Sequence, residues 1–162
     1  MVFRPGRYLI TGSRELPSRF LSALSPALAR GARLLWLDAG NAFDAHGASY
    51  AARRAGLDPR EMLARIALAR PFNLFQLETM VRRKVPGLWR GEPVVVSDPM
   101  PLFYDEDVPA AEARRVLRSV AEGMRALPAA WLILAAERRP PPERAGWLEE
   151  LGRGAVFRAA LP

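Results

Sequence analysis

The apolar residues of this chain come in short unbroken runs rather than in alternation. Leu34-Leu35-Trp36-Leu37, Val94-Val95-Val96 and Trp131-Leu132-Ile133-Leu134-Ala135-Ala136 are apolar at every position. A strand tolerates this only when both of its faces are covered, which is the signature of a parallel sheet buried between helices. The segments between the runs are longer and amphipathic. The pattern predicts strands over 7–11, 33–38, 65–69, 93–98, 131–136 and 155–161. It predicts helices over 16–30, 47–55, 72–84, 109–127 and 142–151, with a short helix from Pro59 through Leu63. Asp58-Pro59 reads as a cap followed by a first-turn proline, and Pro86-Gly87 as the stop of the helix over 72–84. On the long helix, Val116, Leu117, Val120, Met124 and Leu127 share one face. The expected architecture is a single α/β domain over residues 1–162, with a mostly parallel central sheet and helices on both faces.

Composition narrows the chemistry. There is no cysteine and only one histidine, His46, so thiolate or multi-histidine metal sites and the commonest catalytic triads have no residues to draw on. No apolar run reaches the roughly 18 residues of a membrane span. The first residues lack the pattern of a secretory leader, so a cytoplasmic protein is expected. The net charge is +7 and only one of the 24 basic residues is a lysine, Lys84. Residues 1–60 carry nine basic and four acidic groups, whereas residues 101–162 carry nine of each. A basic half suggests a polyanionic partner; an arginine-rich solvated surface is the alternative.

Ligands of such sheets sit at the carboxyl ends of the strands, so the strand ends carry the functional question. After the first strand comes Gly12-Ser13-Arg14-Glu15-Leu16-Pro17-Ser18-Arg19, where a phosphate-binding loop of form G-x-x-x-x-G-K-[ST] would lie. Gly12 fits. Pro17 stands in place of the second glycine, Ser18 in place of the lysine and Arg19 in place of the magnesium-holding hydroxyl. Proline has no N–H to offer a phosphate. An ordinary turn, with Ser13 or Ser18 capping the helix, is the favoured reading. A candidate anion site at this helix start comprises Ser13, Arg14 and Arg19. Asp98 ends its strand where nucleotide hydrolases hold magnesium, and a helix-capping or solvated aspartate is the competing role.

These pieces together resemble the core of the RecA/RadA recombinase superfamily. The resemblance is carried by Leu35-Trp36-Leu37-Asp38-Ala39-Gly40-Asn41-Ala42-Phe43, by Ala52 to Pro59, and by Ile66-Ala67-Leu68-Ala69-Arg70-Pro71-Phe72-Asn73 with Gln76 beyond. They are similar to the family's sequence of strand, D-x-E-G-x-F, helix, short strand, A-R-x-[FY]-N, helix. The family's catalytic glutamate falls at Gly40. The resemblance therefore implies a RecA-like three-layer fold without a working phosphate loop: a non-catalytic paralogue with no cofactor and no metal.

In that family DNA is held by loops after the strands that end at Asp98 and Ala136. The first loop carries Asp105-Glu106-Asp107, which repels phosphate. The second carries Arg138, Arg139 and Arg144 on a proline-stiffened turn. Arg82-Arg83-Lys84 is the densest positive run. Against these stand a solvated turn with local Glu–Arg pairs and a favourable cationic helix end. Trp89 and Trp147 are candidates to stack a base if exposed. His46 is assigned no catalysis. Three functional readings follow. The first is an ATP-independent accessory protein of recombination or repair that binds nucleic acid, single-stranded DNA above all, through Arg82, Arg83, Lys84, Arg138, Arg139 and Arg144. The second is a protein-interaction module whose partner is a recombinase, a second copy or a filament protein, as in the cell-division inhibitors that share this fold. The third is a residual nucleotide sensor.

Overall fold

A computed structural model describes residues 3–161. Six strands form one sheet in the order β3-β2-β4-β5-β1-β6, with every neighbouring pair parallel. In chain order these are β1 (Gly6–Gly12), β2 (Leu34–Asp38), β3 (Ile66–Ala69), β4 (Val94–Ser97), β5 (Ala130–Ala136) and β6 (Phe157–Ala160). The unbroken apolar runs form the central strands β2, β4 and β5. All residues of β2, β4 and β5 are buried.

Alternation across the pleat sorts those runs into two cores. Leu34 and Trp36 of β2, Val95 of β4 and Leu132 and Leu134 of β5 face one side. There they meet α1 (Leu16–Ala29), α2 (Ala45–Arg54) and α3 (Pro59–Leu63). Leu35, Leu37, Val94, Val96, Trp131 and Ile133 face the other. They pack against α4 (Leu74–Thr79), α5 (Val85–Leu88), α7 (Ala110–Ala126) and α8 (Trp147–Leu151), with α6 (Met100–Phe103) at the same face. The expected layered α/β sheet is thus present. The face of α7 that carries Val116, Leu117, Val120 and Met124 is its buried face.

Local chemistry explains where the helices start and stop. Asp44, Asp58 and Asn73 cap α2, α3 and α4, each accepting from a backbone amide of the first turn. Pro86-Gly87 does not stop its helix, contrary to expectation. Between α4 and α5 the backbone widens into a π-helical turn, Met80–Lys84, and the Val85 amide reaches back to the Met80 carbonyl. The wider turn changes the bonding just ahead of the proline, whose ring would otherwise crowd the carbonyl four residues back, and the helix runs on to Leu88. The helix expected over 142–151 is instead a 3₁₀ turn, Pro142–Arg144, and α8. Gly146 lies between them with φ 78°. A left-handed residue cannot continue a right-handed helix. The short α6 falls inside a stretch read from sequence as loop. Among the described residues no helix is long and apolar enough to cross a membrane.

Candidate functional site at the carboxyl edge of the sheet

Parallel strands bring all six carboxyl ends to one edge. Asp38, at the end of β2, is completely buried. Its Oδ1 accepts from the Ala42 amide at 2.8 Å and the Ser97 hydroxyl at 3.0 Å. Its Oδ2 accepts from the Phe43 amide at 3.2 Å and from Arg70 Nε at 3.0 Å. Trp36 Nε1 in turn donates to Ser97 Oγ at 3.0 Å. A buried carboxylate persists only when paired and hydrogen-bonded, and Asp38 is saturated by its own fold. It fixes the turn after β2 and ties it to β3 and β4.

Asp98, one residue past β4, has a left-handed backbone with φ 46° and is 8% exposed. Its Oδ1 accepts from the Ala136 amide at 3.2 Å, and its Oδ2 is paired with the Arg138 guanidinium. Non-glycine residues held in this conformation concentrate at functional positions. Burial pushes the Asp98 carboxyl above its ordinary value. Arg138, the Ala136 amide and the nearby charge of Arg14 pull it back without cancelling the effect. Tyr104 is raised in the same way by burial and by Glu149.

Gly40 lies against Asp98. A Cβ built on Gly40 would come within 2.6 Å of the Asp98 Cβ and 3.0 Å of its carbonyl oxygen. The Gly40 amide also donates to the Ser97 carbonyl at 3.0 Å. No side chain fits there without moving β4, so an acid at this position is barred by packing.

The turn after β1 is equally closed. Only Ser13, Arg14 and Glu15 separate β1 from α1, and α1 starts with no side-chain cap; neither Ser13 nor Ser18 plays that part. The Leu16 amide is spent on the Ser13 carbonyl at 3.0 Å. A Cβ on Gly12 would meet the Leu161 carbonyl oxygen at 2.9 Å. The glycine's open space is thus taken by a hydrogen-bond acceptor, the wrong polarity for a phosphate. Of the candidate anion residues, Ser13 and Arg14 are exposed, and Arg19 pairs with Glu15 at 3.5 Å. Arg19, Ser13, Phe20 and Leu161 also line a shallow, mainly apolar hollow beside the turn.

The six arginine and lysine positions expected at phosphates do not form one surface. Arg82, Arg83 and Lys84 lie in the π-helical turn. That turn is about 15 Å of helix beyond the carboxyl edge where α4 begins, and hence towards the opposite edge. Arg82 leans on Glu122 at 3.9 Å, while Arg83 and Lys84 are exposed and have no ion pair among the described residues. Arg138 is held by Asp98. Arg139 is exposed on the same loop. Arg144 overturns its expected role. It is 2% exposed, stacks over the Trp147 ring, and donates to the carbonyls of Phe103, Asp105 and Val108 at 2.6–2.7 Å. Its guanidinium locks the acidic loop between α6 and α7 instead of facing solvent. Trp147 is buried, and Trp89 is half-buried against the core and donates its Nε1 to the Glu92 carbonyl.

No protein-family model matches the chain, and no curated protein matches it. The assignment of a role therefore rests on the chemistry of these residues.

Two outcomes test the description of this edge. Gly40→Ala is expected to destabilise the fold by about 1–3 kcal/mol through overpacking, measured by urea unfolding. Gly87→Ala, in a helix with nothing within 4 Å of the added methyl, should leave stability unchanged or slightly higher. The second outcome concerns Asp98. Because its folded pKa is raised, the folded chain binds this proton more tightly than the unfolded chain does. The resulting stability is fully present below the unfolded value of about 4 and is lost as pH rises through the folded value. The unfolding free energy of the natural chain minus that of Asp98→Asn should therefore fall from about pH 4 towards neutrality. A flat difference would contradict the burial argument.

Proposed function

We propose that the chain is a RecA/RadA-like scaffold protein that works without an ATP cycle and holds a protein partner along the β3 edge of its sheet. Two sets of observations support the loss of ATP chemistry. The turn after β1 has Pro17, Ser18 and Arg19 where glycine, lysine and hydroxyl would be needed, and an acceptor carbonyl sits on Gly12. The site of the family's catalytic glutamate is a glycine packed on Asp98.

The observation that carries the partner is β3. It is an outer strand, paired only to β2, so one row of its amides and carbonyls lacks a strand partner. Natural outer strands are usually shielded by charge, proline or cover. This one presents Leu68 at 43% exposure and runs into Phe72 at 77% and Phe75 at 41%. Unpaired backbone groups beside apolar anchors suit an extended segment added as a further strand. The flanking Arg65 and Arg70 are held by the Leu28 and Ala29 carbonyls and by Asp38, so the match rests on backbone pairing and the apolar anchors.

A photo-crosslinking amino acid in place of Phe72 should capture a partner in extract of the source cells, and adding Leu68→Lys should abolish that capture with urea unfolding unchanged. Equal capture with and without Leu68→Lys, or none in either case, would remove this reading.

A second reading, direct binding of single-stranded DNA, is favoured by one specific observation: Arg14, Arg83, Lys84 and Arg139 are exposed and have no ion pair among the described residues. Arg144 and Arg138 are withdrawn from it by their internal partners. Labelled single- and double-stranded oligonucleotides, titrated at two salt concentrations, are expected to show affinity that falls steeply with salt. The combined Arg83→Glu and Lys84→Glu change should lower the salt slope by about one per lost contact. Binding that is absent at low salt, or insensitive to salt, would exclude the reading.

A further inference from the structure

A mainly apolar feature not used by either reading lies at the amino-terminal edge of the sheet, on the face covered by α1. A cavity of about 410 Å³ opens between α1 and the starts of β2 and β4. Its wall is built from Phe3, Leu24, Leu28, Leu34 and Pro93. The volume is within the roughly 300–1,000 Å³ typical of small-ligand sites, and such sites combine an apolar wall with a few placed polar groups.

Three charged residues complete the lining: Arg33, Arg90 and Glu92. Arg33 and Arg90 are exposed, which puts them on the solvent side of the apolar wall. Arg33 makes no hydrogen bond or ion pair among the described residues. Among the described residues the Arg90 guanidinium donates only to the carbonyls of Gly87 and Trp89, at 3.1 and 2.8 Å. Glu92 accepts from the Arg90 backbone amide at 2.9 Å. Two guanidinium groups against one carboxylate leave the mouth one positive charge in excess.

We infer that this cavity binds a small aliphatic carboxylate, with its chain against Leu24, Leu28 and Leu34 and its single negative head at Arg33 and Arg90. The wall selects the apolar body. The uncompensated charge selects an anion over a neutral or cationic head, and a singly charged head neutralises it. A planar guanidinium suits a carboxylate because it donates two parallel hydrogen bonds.

Isothermal titration calorimetry of the full chain with octanoate, decanoate and dodecanoate, all below micelle formation, tests this. One saturable site is expected, tightening about threefold to fourfold with each methylene buried. Arg33→Glu, an exposed change, should weaken decanoate at least tenfold while leaving urea unfolding unchanged. Ala27→Phe, which projects a ring into the cavity from α1, should abolish binding. Leu24, Leu28 and Leu34 methyl resonances should shift on saturation with decanoate. Decanol and decyltrimethylammonium should bind at least tenfold more weakly than decanoate. The inference is overturned if no saturable site is found, if either control matches decanoate, or if Arg33→Glu leaves decanoate affinity unchanged.

Discussion

The buried carboxylate of Asp38 is the constraint on which the carboxyl edge depends. It is completely buried at the end of the apolar strand β2, where an unpaired charge would cost several kcal/mol. Four donors from three places resolve that cost: two amides of the following turn, the Ser97 hydroxyl of β4 and the Arg70 guanidinium beyond β3. Each donor fixes something else. The amides shape the turn so that Phe43 stacks edge-on against Trp36. Ser97 aligns the ends of β2 and β4, and places the next residue, Asp98, where it holds the start of the loop after β5. Arg70 ties down the chain leaving β3, just before the exposed Phe72. One charge in the core thereby organises the edge where such folds do their chemistry.

The same arrangement closes the edge around two glycines, Gly40 and Gly12. Here each glycine is used for contact within the chain, one against Asp98 and the other against the Leu161 carbonyl. The closure is mutual. Asp98 reaches into β5 and Arg138, and Glu137 donates to the Gly12 carbonyl. The strand ends are laced to one another by hydrogen bonds within the chain.

Much of the fold was legible because the central strands β2, β4 and β5 are apolar up to their last residues. Val94 to Val96 and Trp131 to Ala136 admit only one reading, and Asp58-Pro59 marks a helix start with two independent signals. What was not legible depended on contacts remote in sequence. Pro86 reads as a stop unless one knows that the preceding turn widens. Arg144 reads as a phosphate ligand on a stiff loop because nothing local reveals that the carbonyls of Phe103, Asp105 and Val108 converge on it. The Asp38 network left one trace in the sequence: Ser97 is the only polar residue of β4, and it pairs in register with Asp38. Two polar residues closing adjacent apolar strands were a readable hint of a shared hydrogen bond.

The outer strand β3 has a colloidal consequence. A sheet with uncovered, partly apolar rims, here β3 and β6, is prone to stack rim to rim, and chains that keep such rims must repel their own kind by other means. The surplus of arginine over acid supplies that repulsion at a distance, before two rims can meet. On this view the basic composition does not need a polyanion to justify it: it keeps crowded molecules apart, and it does so best in dilute electrolyte, where counterions shield it least.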